Sequence, residues 1–174
     1  MELTDAQKKL LITLAEQGPL SGYDIHAKQN IMSNAYWNNQ KQELGPDGQG
    51  LIFEIDTPDR RKPYWLTFRG VKDALLLGAD PKRVKKQASK YLSGSDLQLT
   101  NEMCDYVGIV GVELAQGVIS LITENRFVYP LDLGRDYDQT AEEMGEFIDK
   151  YPGYREPMQK LISKALKKLG LNVD

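Results

Sequence analysis

Leu51-Ile52-Phe53-Glu54-Ile55-Asp56-Thr57-Pro58-Asp59-Arg60-Arg61-Lys62-Pro63-Tyr64-Trp65-Leu66-Thr67-Phe68-Arg69-Gly70 is the stretch on which the fold turns. Its first five residues are β-branched, aromatic or apolar at all but one position, which predicts a strand. A polar segment from Asp56 to Pro63 follows, and Tyr64-Trp65-Leu66 reads as a short return strand. Thr67 then caps a helix that carries Val71, Ala74, Leu75 and Leu76 and ends near Gly78. So small a hairpin is not stable alone and must pack on helices.

Those helices are written upstream. Thr4-Asp5-Ala6-Gln7 is a capping box with Leu3 as a hydrophobic staple, and Leu10, Leu11, Leu14 and Ala15 follow at helical spacing. Gly18 and Pro19 stop this first helix. Ser21 caps a second, with Asp24 three residues on and Ile25 as its first strongly apolar residue, fading near Asn30. Ser33 or Asn34 caps a third from about Ala35 to Leu44, which Gly45-Pro46-Asp47-Gly48 breaks. The order is helix, helix, helix, strand, loop, strand, helix. That is the order of a winged helix-turn-helix domain.

Two stretches carry a resemblance. Residues 10–25, LLITLAEQGPLSGYDI, and residues 60–70, RRKPYWLTFRG, resemble the PadR-like winged-helix transcriptional regulators. GPLSGYDI is similar to that family's link between its first two helices, and Arg60 to Gly70 to its wing, second strand and next helix start. Ser33 and Tyr36 match the start of its recognition helix. The resemblance covers about half the chain and implies sequence-specific binding of double-stranded DNA. Asn39, Gln40 and Gln42 stand where the family shows spaced leucines, and residues 45–50 are an insertion. The region after Leu92 does not resemble the family's C-terminal part.

The candidate DNA-reading residues follow from side-chain chemistry. Asparagine and glutamine can pair bidentately with adenine, and lysine with guanine. Asn34, Asn38 and Lys41 fall at i, i+4 and i+7 on one face of the third helix, with Trp37 beside them. Tyr36, Gln40 and Leu44 form another line, assigned inward. The competing reading of this helix is a plain polar surface. On the wing, Arg60, Arg61 and Lys62 lie between Pro58 and Pro63, which stiffen the loop. Arginines so placed can track phosphates or enter a narrow minor groove. The competing reading is an ordinary charged hairpin tip.

Residues 93–174 read as an all-helical second domain, joined to residues 1–92 by Ser93-Gly94-Ser95. A linker helix before it carries Lys82, Arg83, Lys85, Lys86 and Lys90 on a solvated face, with Val84, Ala88, Tyr91 and Leu92 inward. Leu97 to Phe127 is one long helix or two joined ones, broken at Gly108 or Gly111 in the second case. Val128 to Tyr137 reads as a loop, in which Asp132 and Asp136, with Asp138 just beyond, lack the spacing of a calcium-binding EF-hand. Thr140–Tyr151 and Glu156–Leu169 are two amphipathic helices divided by Pro152-Gly153. Val107 to Ile122 is apolar nearly all round and therefore buried on most sides. Gly108, Gly111 and Ala115 share one face, where two backbones can come close. That face is the expected interface of a homodimer, since two half-sites call for two copies. In the competing reading the last two helices cover it within one chain.

Composition sets the remaining bounds. Of the 174 residues 41% are hydrophobic, as in ordinary globular proteins. Residues 1–92 hold 14 Lys and Arg against 11 Asp and Glu, a net +3, and residues 93–174 hold 8 against 14, a net −6. That asymmetry fits a nucleic-acid-binding half joined to a half with another task, or two solvated surfaces of opposite sign. One cysteine, Cys104, and one histidine, His26, leave no disulfide, cysteine-built zinc site or histidine triad. No metal and no cofactor is expected. Val107 to Ile122 is too short to span a bilayer, so a cytoplasmic protein is the expectation. With no phosphate loop or nucleophile elbow, an enzyme ranks last. The sequence thus predicts a mainly α protein with a small β-hairpin, acting as a DNA-binding regulator. A small-molecule effector is possible in the C-terminal half. The alternative is a winged-helix module that binds proteins and does not read DNA.

Overall fold

The computed structural model describes residues 3–58, 60–124, 137–168 and 170. The protein is mainly helical with a small antiparallel sheet. It divides into two compact units, Met1–Asp105 and Tyr106–Asp174.

In the first unit, α1 is Asp5–Gln17. The Thr4 hydroxyl accepts from Gln7 N–H, and the Gln7 side chain returns an acceptor to Thr4 N–H, so the capping box forms as written. Leu10, Leu11, Leu14 and Ala15 are fully buried. Gly18, with φ +98°, ends the helix.

The next segment departs from the sequence reading. Leu20–Ser21 is a short strand, β1, and the chain then makes one π-helical stretch, Asp24–Lys28. Pro19 holds the entry extended, and β1 pairs with the later strand through Leu20↔Tyr64 and Ser21↔Pro63. Ser21 still caps the helical segment that follows, as its sequence suggests: its hydroxyl oxygen accepts from Asp24 N–H at 3.3 Å. The Asp24 carboxylate in return accepts from Ser21 N–H at 3.0 Å and from its hydroxyl at 2.6 Å.

Helix α2 is Asn34–Leu44, capped by Ser33, and strands β2 (Ile52–Glu54) and β3 (Pro63–Leu66) form the expected hairpin. The sheet has three strands in the order β1-β3-β2, with Phe53 opposite Trp65. Trp65 is fully buried, and its indole N–H donates to the Leu14 carbonyl at 2.9 Å, which ties the sheet to α1. Helix α3 (Phe68–Leu76) buries Val71, Ala74 and Leu75, and α4 (Pro81–Tyr91) buries Val84 and Ala88. The basic side of α4 faces solvent at Lys82, Arg83, Lys86 and Lys90, while Lys85 bonds Asp105 at 2.8 Å.

Helix α5 runs unbroken from Gly94 to Glu124. It starts directly after α4, where the sequence suggests a linker, because Gly94 takes φ +55° and turns the chain. Its first turns belong to the first unit, where Leu97, Met103 and Cys104 pack on that core. Burial there pushes the Cys104 thiol up to about 11, which keeps it protonated at neutral pH. By length and composition alone, Gly94–Ser120 is long and apolar enough to cross a membrane. Val107–Ile122, taken as too short, is thus part of a longer continuous helix.

The second unit holds the rest of α5 with α6 (Tyr137–Lys150), a 3₁₀ turn at Pro152–Tyr154 and α7 (Arg155–Lys168). Its core is Ala115, Phe147, Ile148, Tyr151 and Met158, with Phe147 and Tyr151 rings 5.1 Å apart. The segment read as the loop Val128–Tyr137 lies outside the described residues up to 136, and Tyr137 itself opens α6.

Candidate nucleic-acid interface

Helix α2 has few apolar residues, so what orients it is specific. Trp37 is only 3% exposed and stacks edge-on against Tyr64 of β3, with centroids 5.1 Å apart. It fits because residue 22 is glycine: a Cβ there would come within 2.7 Å of the Trp37 indole nitrogen. Leu44 is fully buried one end further on. Between them sits a buried polar cluster. The Gln7 amide donates to the Gln40 carbonyl and to Glu43 at 3.3 Å, and the Gln40 amide donates to the other Glu43 oxygen at 3.0 Å. Gln49 adds a donor to Glu43 at 3.3 Å.

These contacts rotate the remaining side chains outward. Asn34, Ala35, Asn38, Asn39 and Gln42 are exposed together. Asn34 and Asn38 therefore occupy the outer face, as the sequence predicts. Trp37 does not; it is a core residue and is withdrawn from the contact set. Lys41 is half-buried and close enough to Glu54 for its charge to favour that carboxylate. Ser33 is exposed, but its hydroxyl accepts from Tyr36 N–H at 3.2 Å and so serves as the helix cap. Tyr36 is half-buried, with its hydroxyl 3.4 Å from that of Thr4. The inward assignment of Gln40 and Leu44 agrees with their burial.

The hairpin tip carries the three cations, and all three are exposed. Two are engaged within the chain. Lys62 forms an ion pair with Glu54 at 2.9 Å, and Tyr64 donates to the same carboxylate at 2.8 Å. The Lys62 ammonium holds the Glu54 carboxyl below its ordinary range, with the Tyr64 hydroxyl adding to it. Glu54 in turn raises Lys62. Burial, then the bond to Glu54, pushes the Tyr64 phenol up to about 12. The Arg61 guanidinium lies 4.9 Å from the centre of the Tyr23 ring, a cation–π contact. Lys28 approaches the same ring at 5.9 Å and pairs with Asp24 at 2.7 Å.

Sequence reasoning missed Asn39, Gln42 and Tyr23. Once Trp37 is placed inward, the helical wheel alone puts Asn39 and Gln42 outside. Tyr23 gives no local signal, because its partner Arg61 is far along the chain.

The stripe Gly108, Gly111 and Ala115 is occupied by the chain itself. A Cβ on Gly111 would lie 3.0 Å from the Phe147 ring, and one on Gly108 would lie 3.5 Å from the Tyr154 hydroxyl oxygen. Ala115 is fully buried in the same core. The close approach that the small residues allow is thus to α6 and the 3₁₀ turn, and the homodimer loses the surface from which it was argued. Among the described residues, the exposed large apolar side chains of α5 are instead Leu99, Tyr106, Ile109 and Val112. Among the described residues, no three His, Cys, Asp or Glu side chains gather as a metal site requires.

Comparison with family models, curated proteins and solved structures finds no match for this chain. The resemblance of residues 10–25 and 60–70 to PadR-like regulators rests on those residues alone.

Proposed function

We propose that the first unit is a winged helix-turn-helix module that binds double-stranded DNA, and that the protein regulates transcription. In this reading α2 enters the major groove and the β2–β3 hairpin is the wing. The observation that carries it is the outer face of α2: Asn34, Asn38, Asn39 and Gln42 are exposed together, beside a hairpin bearing Arg60, Arg61 and Lys62. Amides at that position suit base edges, and cations on an exposed loop suit phosphates. The pairing of Trp37 with Tyr64 supports the same reading, because it couples the helix to the hairpin.

The test is a salt titration of the full chain against duplex DNA of mixed sequence. Phosphate contacts release counterions, so the logarithm of the binding constant should fall linearly with the logarithm of salt, by about 0.9 per contact. Absence of salt-dependent duplex binding would overturn the proposal. It would favour a winged-helix module that binds a protein, a reading supported by the engagement of Arg61 and Lys62 within the chain.

A further inference from the structure

Resting on the DNA-binding reading of α2, we infer that this helix reads A·T base pairs through the major groove. Its outer face is unusual in what it offers. Asn34, Asn38 and Gln42 stand at i, i+4 and i+8, one line along the helix, with Asn39 and Ala35 next to it; all five are exposed. Each amide can accept from adenine N6–H through its carbonyl oxygen and donate from its NH2 to N7, the bidentate pattern of adenine. Ala35 supplies a methyl group of the kind that packs on the thymine methyl.

Guanine calls for a cation on the same face. Helix α2 has no arginine, and its single lysine, Lys41, is half-buried at the edge of that face. Nothing on the outer line offers two donors to guanine O6 and N7 from a charged group. The line also has the right length. Eight residues at 1.5 Å per residue span about 12 Å, which covers roughly three to four base-pair steps of about 3.4 Å. Its rotation is fixed, because Trp37, Leu44 and the buried Gln40 hold the opposite side.

The wing gives no competing source for the preference in the major groove, although its arginines could favour a narrow A·T minor groove. The experiment must therefore separate the grooves. The full chain is used to select duplexes from a random pool, and the selected site is rebuilt with 7-deazaadenine or with 7-deazaguanine. Both analogues remove the major-groove N7 acceptor and leave the minor groove intact. The expected site contains adjacent A·T pairs, and 7-deazaadenine in them weakens binding about tenfold or more, whereas 7-deazaguanine elsewhere does not. Asn38→Ala and Gln42→Ala, whose folding circular dichroism checks, should bind normal and 7-deazaadenine sites equally weakly. Selection of G·C-rich sites overturns the inference, as does an A·T site indifferent to 7-deazaadenine. Either result leaves the DNA-binding proposal standing. Failure to bind any duplex overturns both.

Discussion

Replacing Arg60, Arg61 and Lys62 together by alanine should weaken DNA binding on every sequence and flatten its salt dependence. The size of the effect depends on contacts these residues make without DNA. Arg60 is exposed, while Arg61 lies 4.9 Å from the Tyr23 ring and Lys62 pairs with Glu54 at 2.9 Å. The Lys62 and Glu54 side chains are 50% and 39% exposed, so water and salt screen the pair and it is easily exchanged for a phosphate. If all three cations reach phosphates, the log–log slope should fall by about 2.7, at about 0.9 each. Between 50 and 200 mM salt the triple variant should then lose about fortyfold less affinity than the parent. If Lys62 stays on Glu54, the slope should fall by about 1.8 and the difference shrink to roughly twelvefold. Lys62→Ala alone separates the two cases, and Glu54→Gln should steepen the parent's slope only in the second. Fluorescence anisotropy of a labelled duplex over that salt range reads all four proteins. An unchanged slope in the triple variant would refute the assignment of the hairpin as a wing.

Three further outcomes follow from the packing. Gly111→Leu should destabilise the second unit by about 1–3 kcal/mol through overpacking against Phe147, read by urea unfolding, with no change in the mass seen by light scattering; unaltered stability with a lowered mass would restore the interface role of that stripe. Trp65→Phe should cost roughly 1–3 kcal/mol for lost volume and one hydrogen bond, and not more, because the Leu14 carbonyl keeps its bond from Gly18 N–H at 3.1 Å; a larger loss would mean that the indole does more than fill space. For Asp24, Lys28 and then Ser21 lower the carboxyl from 3.8 to about 2. A depressed folded-state value means that its stabilisation is present above about pH 3.8 and lost as pH falls through 2. The thermal midpoint of Asp24→Asn should therefore change less than the parent's over that window, and parallel curves would count against the Asp24 contacts.

Local signals were legible where the partner lies a few residues away. The Thr4–Gln7 box, the Ser33 and Thr67 caps and the stop at Gly18 all depend on such neighbours, and each forms. Long-range pairing was not legible. Two residues, Leu20 and Ser21, are too few to show a strand's alternation, and only Tyr64 and Pro63 make them one. Trp37 was misplaced for a related reason. On a helix with four apolar residues, the wheel cannot choose a buried side until it is known that Gln40 is buried too, and Gln40 is buried because Gln7, on another helix, satisfies it. On α5 the small residues marked a face of close approach correctly, but a helix stripe carries no sign of whether its partner is another copy or Phe147 of the same chain.

The polar interior of α2 explains how so hydrophilic a helix keeps a fixed face toward solvent. Trp37 and Leu44, two turns apart, anchor its ends, and neither alone sets its rotation. The Gln7–Gln40–Glu43 cluster does, since a buried amide or carboxylate left unpaired costs about 1–3 kcal/mol, more when charged. One residue of register slip turns a helix by about 100°. It would strand Gln40 and Glu43 and swing Asn38 off the outer line. The same anchors reach the hairpin. Trp37 lies on Tyr64, Tyr64 bonds Glu54, and Glu54 holds Lys62. This chain of contacts ties the outer face of α2 to the hairpin and so keeps the two at one spacing, which the proposed engagement of one duplex requires.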